Sequence, residues 1–192
     1  MEQEKKSAGA VLRKRLSAKR LAFMAVFVAL SYAVSFWEIP IFPATPYLKL
    51  DFGNVLILLV SFLLGPIEGI AVCALKESLR ILGSSSGGVG ELANMAATTA
   101  FILLPSIVYQ FRKGLCWVIP CLVAACFIGT GAALLTNRFI TFPLYMKGAA
   151  AAVFADVFWF IVGFNLIKTA SISLLTVLLY KRLSNFLKKM KI

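Results

Sequence analysis

Hydrophobic residues in this chain run in long blocks rather than in amphipathic stripes, and polar punctuation divides the blocks into six helical segments. Helix-length apolar runs are predicted over Arg20–Trp37, Phe52–Leu64, Ile67–Leu82, Val89–Phe111, Leu115–Thr136 and Val157–Tyr180. Three prolines (Pro40, Pro43, Pro46) interrupt the chain after the first run, where a helix cannot continue. This stretch predicts an apolar outer loop leading to Tyr47-Leu48-Lys49-Leu50-Asp51. Gly65-Pro66 separates the second and third segments, and proline suits the first position of a new helix. The run Gly83-Ser84-Ser85-Ser86-Gly87-Gly88 reads as a flexible outer loop. From Ala149 to Tyr180 a single helix would measure roughly 48 Å, longer than a bilayer core, so a separate outer segment is expected before the last span.

Composition supports a membrane reading. The 192 residues are 60% hydrophobic, with a mean hydropathy of +0.90, well above a soluble domain. The net charge of +12 has a topological explanation. Lys5, Lys6, Arg13, Lys14, Arg15, Lys19 and Arg20 lie in an N-terminal arm, Arg112 and Lys113 in a hinge, and Lys181, Arg182, Lys188, Lys189 and Lys191 in the tail. With Glu2 and Glu4 these three places account for the whole excess. The positive-inside rule assigns all three to the cytoplasm. Six spans then put both termini inside, and the hinge falls inside too. The expected architecture is an all-α integral membrane protein of six transmembrane helices with N- and C-termini cytoplasmic. Residues 1–19 form a basic arm, 20–183 the membrane domain and 184–192 a basic tail. The first apolar run resembles a signal peptide but is long for one and lacks a clear cleavage site, so it is read as an uncleaved helix. No basic face interleaved with aromatics remains, which argues against nucleic-acid binding.

Asn165 and Lys168 fall inside the last apolar run. A lysine near the bilayer centre costs roughly 2.5–3.5 kcal/mol on insertion scales, so it calls for a cavity or a partner. Snorkelling to an interface is the alternative. Their three-residue spacing is about 300° of rotation, which puts amide and ammonium on one face. Further polar residues gather at the same outer level: Asp51 before the second helix, Glu91 and Asn94 opening the fourth, Asn137 and Arg138 ending the fifth. Asp51 and Glu91 also suit helix N-termini for structural reasons alone. Phe42, Tyr47 and Leu48 supply an apolar cover. These groups predict an outward-facing pocket for a small, flat, partly polar molecule.

Catalytic equipment is sparse. There is no histidine, hence no histidine-based triad and no thiol–imidazole couple. Cys73, Cys116, Cys121 and Cys126 lack zinc-site spacing and read as small apolar residues. No glycine-rich phosphate loop is present. Neither an enzyme activity, a metal site nor a cofactor is expected. In the first helix Ala25, Ala29 and Ala33 recur every four residues, a stripe that lets another helix approach closely, within this chain or from a partner.

Together these residues resemble the substrate-binding S component of an energy-coupling factor (ECF) vitamin transporter, most closely the riboflavin-specific branch. The resemblance covers nearly the whole chain after residue 19. It rests on the alanine stripe, Tyr47-Leu48-Lys49-Leu50-Asp51-Phe52, Gly65-Pro66-x-x-Gly69 with Lys76-Glu77, and Gly90-Glu91-Leu92-Ala93-Asn94. Asn137 followed by Pro143-Leu144-Tyr145, Phe164-Asn165-Leu166-Ile167-Lys168 and Leu179-Tyr180-Lys181-Arg182-Leu183-Ser184 complete it. One departure follows Asp51, where Gly53-Asn54-Val55-Leu56 stands in place of the branch's usual Ser-Asp and nearby proline. The resemblance implies capture of riboflavin, with FMN a further candidate, in the bacterial plasma membrane. It also implies assembly with a transmembrane coupling subunit, contacted by Ala25, Ala29 and Ala33, and with two cytoplasmic ATPase subunits. The implied ligand residues are Tyr47, Leu48, Asp51, Glu91, Asn94, Asn137, Asn165 and Lys168. In this scheme Lys168, Asn165 and Asn137 face the ring edge, Glu91, Asn94 or Asp51 take ribityl hydroxyls, and Tyr47 and Leu48 cover the ring. An S component for another vitamin or heterocycle, or a stand-alone carrier, is the competing reading.

Overall fold

The computed structural model describes residues 17–84, 87–112 and 114–189. Most of the predicted basic arm, and the last three residues of the predicted tail, lie outside the described residues. Helix α1 (Ala18–Val34) starts at Ser17, whose hydroxyl accepts from the Arg20 N–H. It is followed by β1 (Glu38–Pro40), β2 (Lys49–Asp51), α2 (Gly53–Leu63) and α3 (Pro66–Ile81). Then come α4 (Val89–Phe111), α5 (Leu115–Thr136), a π-helical turn (Asn137–Thr141), α6 (Phe142–Met146), a 3-10 turn (Lys147–Ala149) and α7 (Ala150–Lys189).

Helix α2 is the hub. Nine of its eleven residues are buried, and it touches α1, α3, α4 and α7. Buried on nearly every side, it presents little surface to lipid or water. Close approach at the hub depends on glycine. A Cβ on Gly69 of α3 would come within 2.4 Å of the Ser61 Cβ, and one on Gly53 within 2.4 Å of the Ser31 carbonyl oxygen. At the α2–α3 turn Gly65 takes φ 129°, a left-handed conformation, immediately before Pro66 at the helix start. Arg20 fastens the base of α1 to this turn, donating to the Leu64 carbonyl at 3.1 Å and pairing with Glu68 at 3.5 Å.

Among the described residues three helices are long and apolar enough to cross a membrane: Val89–Phe111, Cys116–Met146 and Ala150–Tyr180. The fourth and fifth predicted segments match α4 and the first part of the second span. Two expectations need correcting. The segment from Ala149 is not split: α7 is one helix of 40 residues, because nothing between Ala150 and Tyr180 breaks it. Nor is the fold purely helical, since the proline-rich loop is closed at its base by β1 and β2. These pair antiparallel with Glu38 opposite Asp51. The prolines keep Pro43 and Pro46 in the turn and Pro40 at a strand end, where a missing N–H is tolerated.

A large apolar cluster fills the bundle around α2, including Phe27, Leu58, Phe101 and Ile172. A smaller one joins Leu48 to Phe142, Ile161 and Phe164. The polar cavity opens where the helices diverge beside this second cluster.

Candidate functional site

The cavity holds about 760 Å³, within the range of small-molecule sites. Its wall includes all eight residues predicted from the sequence: Tyr47, Leu48, Asp51, Glu91, Asn94, Asn137, Asn165 and Lys168. They come from the hairpin, α4, the π-helical turn and α7, so only the folded bundle brings them together.

Lys168 does not reach for an interface. It is 7% exposed, its ammonium donates to Asn94 Oδ1, and it lies 5.8 Å from the Phe164 ring centre. Asn137 and Asn165 are buried alongside. Each donates one amide N–H to the carbonyl four residues earlier, at 2.8 Å to Ala133 and 2.9 Å to Ile161. These bonds fix the two side-chain rotations and leave each amide an Oδ1 acceptor and a second N–H. The π-helical turn at Asn137 is the kind of irregularity that marks functional helices.

The hairpin loop forms the cover. Phe42 packs edge-on against Phe160 of α7, with ring centres 5.6 Å apart. Leu48 is buried in the second apolar cluster, whereas Tyr47 stays half-exposed at the rim. Desolvation raises the Tyr47 phenol above its ordinary range.

Two predicted ligand residues have other work. Asp51 Oδ1 accepts from Ser35 Oγ at 2.9 Å and from the Gly53 N–H at 2.8 Å, while Oδ2 pairs with Lys76. Asp51 thus starts α2 and anchors a buried ion pair. Asn94 is similarly engaged. Its Oδ1 accepts from Lys168 and from Asn54 at 3.3 Å, and its Nδ2 donates to Glu77 Oε1.

Sequence reasoning missed the network beneath the cavity. Lys76, fully buried, donates to Asp51, to Glu77 at 2.6 Å and to Asn54 Oδ1 at 3.4 Å. Asn54, also fully buried, further donates to Thr98 at 3.2 Å. One turn along α3, Arg80 donates to the Ser35 carbonyl at 3.0 Å and to Glu38, and stands 3.8 Å from Asp51. The available signal was the i, i+4 spacing of Lys76 and Arg80, which puts both cations on one face of the helix. The Asn54 amide closes this network. No group of three potential metal ligands occurs among the described residues.

On α1 the three alanines face outward. Ala25, Ala29 and Ala33 are exposed together with Val26 and Leu30, while Phe27, Val28 and Ser31 turn inward.

Comparison with known proteins fits this geometry. Residues 19–180 match the family described as ECF transporter, substrate-specific component. The riboflavin transporter RibU of Staphylococcus aureus (strain TCH60) is 34% identical over 176 residues, covering 89% of this chain and 93% of that protein. RibU of Streptococcus thermophilus (strain ATCC BAA-250 / LMG 18311) is 25% identical over 182 residues, covering 90% of this chain and 86% of the relative. A solved structure described as the S component of a bacterial ECF transporter superimposes with a TM-score of 0.77 at 35% identity, covering 88% of this chain and 98% of that one.

Proposed function

The chain belongs to the substrate-specific components of ECF transporters, a transporter family and not an enzyme family, and from that premise we propose that its cargo is riboflavin. The observation that carries the reading is the wall shared by Lys168, Asn165 and Asn137. Isoalloxazine has a uracil-like edge with carbonyl acceptors, ring nitrogens and one N–H. An ammonium supplies donors only and two amides supply both, which matches that edge. The names of the similar proteins point the same way. Apolar Leu48 and Phe164 suit the flat ring, and the hairpin loop is the cover through which cargo enters from outside. FMN carries the same ring and is the further candidate.

In this reading residues 20–183 form six spans in the bacterial plasma membrane, with the arm 1–19 and the tail 184–192 in the cytoplasm. The short α1, α2 and α3 cross as a packed group around the hub. The chain brings no phosphate loop, so energy comes from an ECF module, taken here as a transmembrane coupling subunit and two ATPases. The exposed alanine stripe is the surface for the coupling subunit.

Mass spectrometry of small molecules released from the purified protein tests the cargo. Riboflavin is the expected species, and another heterocycle in its place overturns the assignment. For the partner surface, Ala29→Trp should stop uptake in cells while flavin binding by the purified chain stays intact. Loss of both would mean that the stripe supports the fold itself.

A further inference from the structure

Glu77 lies on the cavity wall with a side chain 2% exposed. Its Oε1 accepts from the Lys76 ammonium at 2.6 Å and from the Asn94 amide. Its Oε2 is equally buried and has no hydrogen-bond partner among the described residues. A buried carboxylate oxygen without a donor carries an uncompensated desolvation cost. In the wall of a binding cavity, such an atom points to a donor that the occupant brings. Building on the riboflavin reading, we propose that Glu77 is a specificity-determining residue that accepts a hydrogen bond from a hydroxyl of the cargo's polyol chain.

Geometry favours the chain over the ring. Asn94 stands between Lys168 and Glu77, its oxygen on the first and its nitrogen on the second. A ring edge held by Lys168 and Asn165 on α7 therefore leaves the α3 carboxylate beyond Asn94, on the side toward which a flexible substituent extends. The ring edge has a single N–H, whereas a ribityl chain carries several hydroxyls. Oε2 is shut off from water here, but the terminal carboxylate torsion is broad and two-fold. A modest rotation presents either oxygen to the lumen while the other keeps Lys76. Asp51 offers no substitute, since Ser35 and Gly53 occupy one oxygen and Lys76 the other.

The test is fluorescence titration of the full chain in detergent with riboflavin and with lumiflavin, which has the same ring and a methyl group in place of the ribityl chain. Glu77→Gln keeps the size and one oxygen for Lys76 and Asn94 but turns the second oxygen into a donor. Riboflavin affinity should fall about ten-fold or more, while lumiflavin affinity stays within about two-fold of wild type. Equal losses for both ligands overturn the proposal, since Glu77 then acts only by holding Lys76 and Asn94. No loss for either overturns it as well. Should Glu77→Gln lack a melting transition, Glu77→Asp, which withdraws the carboxylate by one methylene, must give the same split between ligands. Wild-type protein that binds neither flavin sinks the cargo assignment itself, and the role of Glu77 falls with it.

Discussion

Lys76 on α3 and Lys168 on α7 are both buried beside one cavity, yet they are satisfied in opposite ways. Lys76 has two carboxylates and an amide oxygen around its ammonium. Among the described residues Lys168 has Asn94 as its hydrogen-bond partner and no carboxylate within ion-pair distance. A buried cation with full compensation holds structure together. One hydrogen-bonded to a neutral amide keeps bonding capacity in reserve for a guest. The difference separates a scaffold wall from a recognition wall, with Asn94 as the bridge between them.

The sharpest way to break this contrast is Lys76→Met. It strands Glu77 as an unpaired buried carboxylate and leaves Asp51 only the longer Arg80 contact at 3.8 Å, and removing one partner of such a cluster typically costs about 3–5 kcal/mol. Thermal unfolding in detergent should show a large drop in Tm. Adding Asp51→Asn and Glu77→Gln should recover much of the loss, because the stranded charges go with the lysine. A Lys76→Met protein as stable as wild type would mean that α3 carries no structural ion cluster.

Lys168→Ala is the counterpart. Stability should change less than in Lys76→Met, since no carboxylate among the described residues is directly ion-paired to Lys168, whereas riboflavin affinity should fall by about 1.5–3 kcal/mol, the range for a hydrogen bond to a charged group. Titration of flavin fluorescence measures the second effect and the melting curve the first. Unchanged affinity removes Lys168 from the site; a collapse in Tm like that of Lys76→Met would erase the distinction between the two walls.

The same contrast explains what could be read from the chain in advance. Lys168 stood out because it interrupts a long apolar run, where insertion cost alone flags a charge. Lys76 sits among Glu68, Glu77 and Arg80 on a short helix, so its burial looked no different from a solvated charge. Its main partner, Asp51, is 25 residues away, and pairing at that range is a product of tertiary folding. Helices α4 and α5 were legible from unbroken hydrophobicity closed by the Arg112 hinge. The β1–β2 pairing was not, because three-residue strands are too short to show alternation. The continuous α7 was misjudged for a physical reason as well. Bilayer thickness limits how much helix is immersed, and a helix is free to extend beyond the membrane.

Smaller effects belong to the ion chain over the hairpin, where the contrast recurs on one carboxylate. Glu38 faces Asp51 directly across the ladder, a like-charge pair that destabilises a short hairpin unless cations intervene. Arg80 reaches both acids from α3 and also takes the Ser35 carbonyl. Lys49 bonds Glu38 at 3.1 Å from the solvent side, with a side chain 47% exposed. Arg80→Gln should therefore loosen the base of the cover and raise the flavin dissociation rate in stopped-flow measurements. Lys49→Ala should cost at most about 1 kcal/mol of stability, an effect that disappears as salt is raised. If Lys49→Ala matched Arg80→Gln in both rate and salt response, the two cations would be equivalent. The hairpin would then be held by overall charge balance, and the half-buried fork from α3 would have no special part in it.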